Sequence, residues 1–215
     1  GSRGMAMERL LKADSNCLDI GSHSGEVLEQ MIELSPRGHH IAFEPIPALY
    51  EDLCRKFRHK AEISPFALSD ENAEAEFNYV RNAPAYSGLK KRKYNLHKPD
   101  IERIRVQTRS LDKLISTDMC IDFIKIDVEG AEYKVIKGGK KLIKRCRPFI
   151  IFEYGIGASD YYGQGPDDMF DLLTGECGLK ISLLKNFLCS KDSLKRESFK
   201  QVYKSSREYY FIAHP

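Results

Sequence analysis

The segment from Asp19 to Gly25 has the residue types of a ligand-binding turn. It reads Asp-Ile-Gly-Ser-His-Ser-Gly between an apolar run at 16–21 and a helical pattern, which predicts a strand-to-helix turn. Such a turn brings backbone N–H groups close to a ligand. No Gly-Lys-Ser or Gly-Lys-Thr follows, so the turn is not a P-loop, and only Gly21 and Gly25 remain of the G-x-G-x-x-G pattern. Asp19 would repel a pyrophosphate but suits a ligand with an ammonium group.

Glu44 is the second acid of this turn's ligand site. It ends a predicted strand at 40–44 and lies 44 − 21 = 23 residues after Gly21. An acid about 20 residues beyond a glycine-rich turn hydrogen-bonds ribose hydroxyls in nucleoside-binding folds of this layout. Asp19 and Glu44 together therefore predict S-adenosylmethionine (SAM), which carries an ammonium group, a sulfonium and a ribose.

Further acids crowd the ends of two predicted strands, 122–128 and 149–154. They are Asp127, Glu129, Glu132 and Glu153. Such acids can serve as general bases, and His23 is a further candidate base. Carboxylates brought together would perturb one another's pKa or hold a divalent cation, but no ligand set is specific enough to predict a metal. Alternatively, Glu129 is only an acid favourably placed at the N-terminus of the following helix, and Glu132 faces solvent in its first turn.

The elements that must position these residues alternate between short apolar runs and helical patterns, which indicates βαβ units. We expect an α/β fold: a three-layer, doubly wound, mostly parallel sheet of about seven strands. Strands are predicted at 16–21, 40–44, about 61–68, 77–80, 106–115 (running into a helical turn), 122–128, 149–154, 179–185 and 208–213. Helices are predicted at 24–35, from Pro45 to Arg58, from Ala131 to Cys146 and at 167–175.

Length and composition indicate one globular domain over residues 1–215, whose first four residues read as a cloning remnant. No apolar run approaches the roughly 20 residues of a membrane span, and no secretory leader opens the chain. Six cysteines form no CxxC pair, which favours a reduced, cytoplasmic protein. The net charge of +3 is too small to indicate a nucleic-acid binder by itself.

Four segments give the sequence a resemblance to a known family. They are LDIGSHSGE (18–26), IAFEPIP (41–47), VQTRSLDKLI (106–115) and DFIKIDVEGAEYKVIKGG (122–139). The chain resembles the FkbM family of class I SAM-dependent methyltransferases. The resemblance implies a seven-stranded, Rossmann-like sheet and SAM at the carboxyl ends of the first strands. It also implies methyl transfer to a hydroxyl of a small molecule, sugar or glycan.

The resemblance also implies roles for individual residues in holding SAM. The turn would lie beside the methionine part, Glu44 would take the ribose hydroxyls, and Ile46, next to Pro45, would pack on the adenine. Asp70, or Ser69 in its place, would lie near the adenine amino group. The cofactor-binding set is therefore Asp19, Gly21, Ser22, His23, Gly25, Glu44, Pro45, Ile46, Ser69, Asp70 and Asp127. The catalytic candidates are Asp127, Glu129, Glu153 and His23.

We expect acceptor choice to rest on two stretches, roughly 70–105 and 155–166, or on a second subunit or a missing domain, and the sequence allows a homodimer. The first contains a basic loop at 84–98 with Tyr86, Tyr94, Lys90, Lys91, Arg92, Lys93 and Lys98. This loop predicts a lid for an anionic acceptor, although a solvated charge run explains it equally well. Two other functions stay open: an RNA methyltransferase that uses the basic loop and the helix face at 137–147, and a SAM-binding protein without catalysis.

Overall fold

The computed structural model describes residues 1–215. Its ten strands are β1 (Cys17–Ile20), β2 (His40–Phe43), β3 (Glu62–Ser64), β4 (Ala67–Leu68), β5 (Ala73–Val80), β6 (Ile101–Arg109), β7 (Phe123–Ile126), β8 (Phe149–Glu153), β9 (Lys180–Leu183) and β10 (Tyr210–His214). Its α-helices are α1 (Ser2–Leu10), α2 (Glu26–Leu34), α3 (Pro47–Lys56), α4 (Leu111–Leu114), α5 (Glu132–Gly138), α6 (Lys140–Cys146), α7 (Pro166–Phe170), α8 (Leu184–Leu188) and α9 (Arg196–Ser205).

Seven of the strands form one sheet in the order β3-β2-β1-β7-β8-β10-β9. All neighbours pair in parallel except β10, which is antiparallel to both β8 and β9. The order reverses between β1 and β7, so the chain leaves the carboxyl ends of these two strands in opposite directions. That divergence opens a crevice in which ligands of doubly wound sheets bind. The expected α/β, mostly parallel, seven-stranded sheet is confirmed.

Helices cover both faces of this sheet, which makes the fold three-layered. Strands β1, β2 and β7 are buried along their whole length, as expected for parallel strands between two helix layers. On one face α1, α2 and α8 contribute Met7, Met31 and Leu184 to a buried cluster. On the other face α5, α6 and α9 contribute to the main core, with Val135, Ile143 and Phe199 among its members.

The predicted third strand at 61–68 is wrong, because the structure divides it between two sheets. Strand β3 ends at Ser64, and Pro65, which has no N–H to donate, separates it from β4. Strand β4 pairs with β6 in a second sheet of order β4-β6-β5. The strand predicted at 77–80 begins earlier, at Ala73, and the one predicted at 106–115 begins at Ile101.

The helices also differ from the sequence prediction. The helix predicted from Ala131 to Cys146 is broken into α5 and α6 at Gly139, a residue type that disfavours helix. The helix predicted at 167–175 is α7, continued by π-helix over Asp171–Glu176. Helices α1, α8 and α9 were not predicted. None of the helices combines the length and apolar character needed to cross a lipid bilayer.

Candidate active site

The β1–α2 turn lies at the sheet crevice and is held in place by close backbone packing. Gly21 has a φ of +75°, and a Cβ atom there would lie 1.9 Å from the carbonyl oxygen of Asp127. Only glycine therefore allows the turn after β1 to approach the turn after β7 this closely. Gly25 serves a different contact, because its missing Cβ makes room for Phe57 and Leu53 of the α3 region.

Glu44 ties the ends of β1 and β2 together. Its Oε2 accepts the backbone N–H of His23 at 2.9 Å, and its Oε1 accepts the backbone N–H of Ile46 at 3.0 Å. The side chain is buried, and burial raises the pKa of Glu44 while these two hydrogen bonds lower it. Each carboxylate oxygen keeps acceptor capacity beyond one N–H, so Glu44 can also accept two neighbouring hydroxyls.

A cavity, partly open to solvent, begins at this carboxylate. The cavity walls are apolar on the side of β4 and β5, and polar on the side of the turns that follow β1 and β7. The lining residues are Ile20, Gly21, His23, Phe43, Glu44, Pro45, Ile46, Phe66, Ala67, Leu68, Phe77, Pro84, Ala85, Ser87, Leu89, Asp127, Val128, Glu129 and Ala131. We call it the cofactor cavity, because an apolar slot beside a hydroxyl-binding carboxylate fits a nucleoside such as that of SAM.

His23 adds a free polar atom to this cavity. It has a φ of +50°, and its Nε2 atom is buried without a hydrogen-bond partner in the protein. A buried polar atom of this kind is costly unless a ligand or solvent satisfies it. The residues present therefore fit a polar, nucleoside-bearing cofactor.

Asp19 does not line the cofactor cavity. It is fully buried behind the turn, where its Oδ2 accepts the Ser22 hydroxyl at 2.7 Å and its Oδ1 lies 3.2 Å from Lys125 Nζ. Lys125 Nζ also donates to the carbonyl oxygen of Gly21. Asp19, Ser22 and Lys125 thus brace the turn from within, and the sequence did not reveal Lys125 as Asp19's partner.

Ser69 and Asp70 are likewise not brought to the cofactor cavity. Asp70 lies 3.0 Å from Lys137 Nζ and 3.7 Å from Lys134 Nζ, both on α5. Burial acts to raise its pKa, but the hydrogen bond from Lys137 and the charge of Lys134 outweigh it and lower that pKa. The wall where Asp70 was expected is supplied instead by Phe66, Leu68 and Phe77, whose place depends on the second sheet.

A second cavity, also partly open to solvent, adjoins the first on the side of β8. The two share Ala85, Asp127 and Glu129. Its other lining residues are Tyr86, Arg92, Asn95, Gly130, Glu132, Glu153, Gly155, Ile156, Ala158, Ser159, Ser206, Glu208 and Tyr209. We call it the acceptor cavity. Of the predicted catalytic acids, Asp127 and Glu129 therefore lie where the two cavities meet and Glu153 lines the acceptor cavity, while His23 lies on the cofactor side.

Glu153 is the acid of this group best suited to exchange a proton near neutral pH. Burial, and then the negative charge of Asp127, raise the pKa of Glu153 to about 7. Arg92, a hydrogen bond from Tyr210 and Lys125 act in the opposite direction. A carboxyl with a pKa near the working pH is an efficient general base.

The basic loop at 84–98 closes over the acceptor cavity and packs on the stretch at 155–166. Arg92 forms an ion pair with Glu129, with only 15% and 14% of the two side chains exposed. The Lys90 N–H donates to the Tyr162 hydroxyl at 3.0 Å, and the Lys93 N–H donates to the Gly157 carbonyl at 2.9 Å. The two stretches predicted to face the substrate thus form one wall.

No group of three or more His, Cys, Asp or Glu side chains is placed to hold a metal ion. In the acid cluster, Glu129 is engaged by Arg92, and Glu132 Oε1 by two backbone N–H groups. These contacts occupy oxygens that a cation would need.

Comparisons with known proteins agree with this geometry. The family model described as Methyltransferase FkbM domain matches residues 19–181. The 2-O-methyltransferase NoeI of Sinorhizobium fredii (strain NBRC 101917 / NGR234) is 31% identical over 172 residues, which cover 73% of this chain and 70% of that protein.

A solved structure shares the fold. The crystal structure of methyltransferase FkbM from Methylobacillus flagellatus KT aligns with a TM-score of 0.59 at 14% identity. The alignment covers 95% of this chain and 44% of that chain, so the present chain spans less than half of its length.

Proposed function

The chain belongs to the FkbM methyltransferase family, and from this premise we propose that it methylates a hydroxyl oxygen of a small molecule or glycan. The family and the named relative make it a SAM-dependent methyltransferase. The observation that carries the proposal is the junction of the two cavities, where Asp127 and Glu129 line both. A donor in one cavity and an acceptor in the other would meet at these carboxylates.

The residues of the cofactor cavity divide the binding of SAM between them. Glu44 would accept the ribose hydroxyls, Ile46 and the phenylalanines of the apolar wall would cover the adenine, and Gly21 and His23 would border the methionine part. When bound, SAM supplies an electrophilic methyl group on a sulfonium. Asp19 and Ser22 would act indirectly, by fixing the turn.

The residues of the acceptor cavity would align the hydroxyl and remove its proton. We assign the proton acceptor to Glu153, at the end of β8, or to Asp127, directly after the neighbouring strand β7; the charge of Asp127 helps to raise the pKa of Glu153. The loop at 84–98 would exclude water, which protects the transfer and strengthens the electrostatic contacts inside. Glu129 would hold this loop through Arg92.

The cavity wall and the loop surface carry opposite charges near the proposed acceptor site. The cavity walls carry Asp127 and Glu153, so we propose that the reacting end of the acceptor is uncharged. The exposed Lys91, Lys93 and Lys98 at the loop surface would attract an anionic group farther out, as the sequence suggested. The name of the relative, which specifies a 2-O-methyltransferase, supports an oxygen atom as the methyl acceptor.

The domain organisation, location and oligomeric state are also proposals. We propose that residues 1–215 form a single domain and that 70–105 and 155–166 face the substrate. A cytoplasmic location is supported by six cysteines, all with free thiols. A homodimer would be tested by light scattering.

Calorimetry and methyl transfer together test the proposed function. SAM should bind with a Kd that Glu44→Ala raises about ten- to a hundredfold, because hydrogen bonds to a charged group contribute roughly 1.5–3 kcal/mol. Glu51→Gln, an exposed acid on α3, is the matched control. Demethylated cofactor should accumulate with hydroxylated acceptors, and Asp127→Ala should abolish this. Cofactor binding without transfer to any hydroxylated acceptor would leave a non-catalytic SAM-binding protein.

A further inference from the structure

Glu132 is a buried acid for which the proposed reaction has no role. The sequence allowed it to face solvent, but the residue is only 2% exposed and belongs to the wall of the acceptor cavity. It is the first residue of α5, directly after the turn that carries Asp127 and Glu129. Glu132 therefore lies directly beside two of the acids at the cavity junction.

One oxygen of Glu132 holds the turn in an unusual conformation. Glu132 Oε1 accepts the backbone N–H of Val128 at 3.1 Å and that of Gly130 at 3.2 Å. Between these two groups lies Glu129, a non-glycine residue with a φ of +57°. Gly130, with a φ of +108°, approaches the backbone of Ala158 so closely that a Cβ atom would lie 2.6 Å from it. Such backbone strain persists only where the surroundings fix it.

The other oxygen of Glu132 is buried with no partner. Oε2 accepts no hydrogen bond, and no Lys, Arg or His forms an ion pair with this side chain. The titratable groups that act on it from neighbouring elements are Asp127, Tyr154 and Tyr162, none of which is a cation. A buried carboxylate without a counter-charge and beside Asp127 is far less favourable than a neutral carboxylic acid.

We propose that Glu132 is a positioning residue that acts as a neutral carboxylic acid, fixing the Val128–Gly130 turn and thereby orienting Asp127 and Glu129 at the junction of the cavities. In support, burial raises the pKa of Glu132 to about 8, and the charge of Asp127 adds to this. Ionisation would place a second negative charge beside Asp127. The role in turnover rests on the proposed function, but the protonation state of Glu132 does not.

The first test measures stability against pH in Glu132→Gln, an uncharged near-isostere of the protonated side chain. In the wild type the unfolded chain ionises Glu132 above about pH 4.5, while the folded chain keeps the proton up to about pH 8. The wild type therefore loses stability relative to Glu132→Gln as pH rises through this range. Urea unfolding should show a difference that widens with pH. Glu197→Gln, an exposed acid in the first turn of α9, should show no widening. A pH-independent difference for Glu132→Gln would overturn the proposal.

The second test measures turnover against pH. Wild-type kcat should fall as pH rises through about 8, whereas Glu132→Gln should stay active there. Glu132→Ala, which leaves the two N–H groups without their acceptor, should lower kcat about five- to a hundredfold below pH 8, since an unsatisfied buried donor costs about 1–3 kcal/mol. Equal activity of Glu132→Ala and wild type would refute the positioning role. Absence of methyl transfer in every variant would refute the proposed function, and the stability series would still decide the state of Glu132.

A third measurement covers the case in which Glu132→Gln does not fold. Carbon-13 NMR of labelled glutamates should show a carboxyl that titrates near pH 8. The spectra are recorded on the Glu153→Gln variant, because this substitution removes the carboxyl of Glu153, which is expected to titrate near pH 7. An ordinary glutamate titrates near pH 4.3. If no glutamate of this variant titrates near pH 8, Glu132 is not a neutral acid and the proposal fails.

Discussion

Glu153 lies on β8, next to the strand that carries Asp127, and burial dominates its protonation. Because its pKa is raised to about 7, the group is largely protonated in mildly acidic solution and can accept a proton only as pH rises. The proposed role of Glu153 as a base therefore depends on pH near neutrality.

We expect kcat/KM of the wild type to fall on the acid side with an inflection near pH 7, because Glu153 must be ionised to act as a base. Glu153→Gln should lower turnover about 10²- to 10⁴-fold, the usual contribution of a general base. A pH series of initial rates checks both. If kcat/KM of Glu153→Gln still falls at acidic pH as it does in the wild type, the base is another group, and Asp127 is the first candidate.

Stability has the opposite pH dependence at this residue. A raised folded-state pKa means that the contribution of Glu153 is fully present below the unfolded-state value near 4.5 and is lost as pH rises through about 7. At working pH the ionised Glu153 would thus lower the stability of the folded enzyme. Such a trade-off between stability and activity is common at active sites.

The two strand-to-helix turns at the crevice depend on each other. The turn after β1 reaches the backbone of the turn after β7 through Gly21, and Lys125 of β7 pairs with Asp19 of β1. Neither turn can move without the other, so the wall shared by the two cavities behaves as one unit.

Two glycine substitutions separate the clash at this contact from simple backbone strain. Gly21 and Gly163 both have positive φ values, +75° and +82°, but a Cβ at Gly163 meets nothing within 4 Å. Gly163→Ala should cost only the strain of about 1–2 kcal/mol. Gly21→Ala adds overpacking against Asp127, and we expect about 1–3 kcal/mol more, together with weaker SAM binding. Urea unfolding and calorimetry measure the two effects, and equal losses for both variants would show that the close contact is unimportant.

The loop at 84–98 is a separate element whose closure depends on Arg92. Arg92→Ala leaves Glu129 largely buried without its partner, so the open state of the loop should be more populated. Chymotrypsin should then cleave after Tyr94 about tenfold faster than in the wild type, while Lys98→Ala, which removes an exposed cation, should not change the rate. If the Arg92→Ala loop resists cleavage as well as the wild type, its backbone bonds to Tyr162 and Gly157 suffice to hold it.

Over the whole molecule, the cations are distributed among local partners. Lys137 pairs with Asp70, Lys140 with Glu176, and Arg92 with Glu129. On the helix face and the loop that an RNA methyltransferase would use, these three cations have acidic partners, whereas Lys91, Lys93 and Lys98 of the loop are exposed. The family and its named relative do not favour that alternative.

We expect only weak binding of generic RNA at about 0.15 M salt, because the net charge of the chain is only +3 and acids are interspersed with its cations. Fluorescence anisotropy with a mixed-sequence oligonucleotide, repeated from low to high salt, measures this. Tight binding with a steep salt dependence would reinstate nucleic acid as the acceptor.

The order of elements along the chain was well indicated by the sequence. Fully buried parallel strands read as continuous apolar runs such as Phe149 to Phe152, so β1, β2, β7 and β8 were found close to their true bounds. Strands β5 and β6 were only partly found, since one face of each is exposed and their polar residues mask the pattern. Helix α9 buries little more than Phe199 and Tyr203, too few residues for a clear period.

The sequence by itself determined the ligand-binding turn, Glu44 and the acids after β7 and β8, because these features depend on residues close together along the chain. Tertiary structure alone decided that Asp19 pairs with Lys125, that Asp70 faces the lysines of α5, and that Phe66 and Phe77 line the cofactor cavity. It alone buried Glu132. Each of these depends on which distant strand or helix a side chain meets, and local patterns carry no information about such contacts.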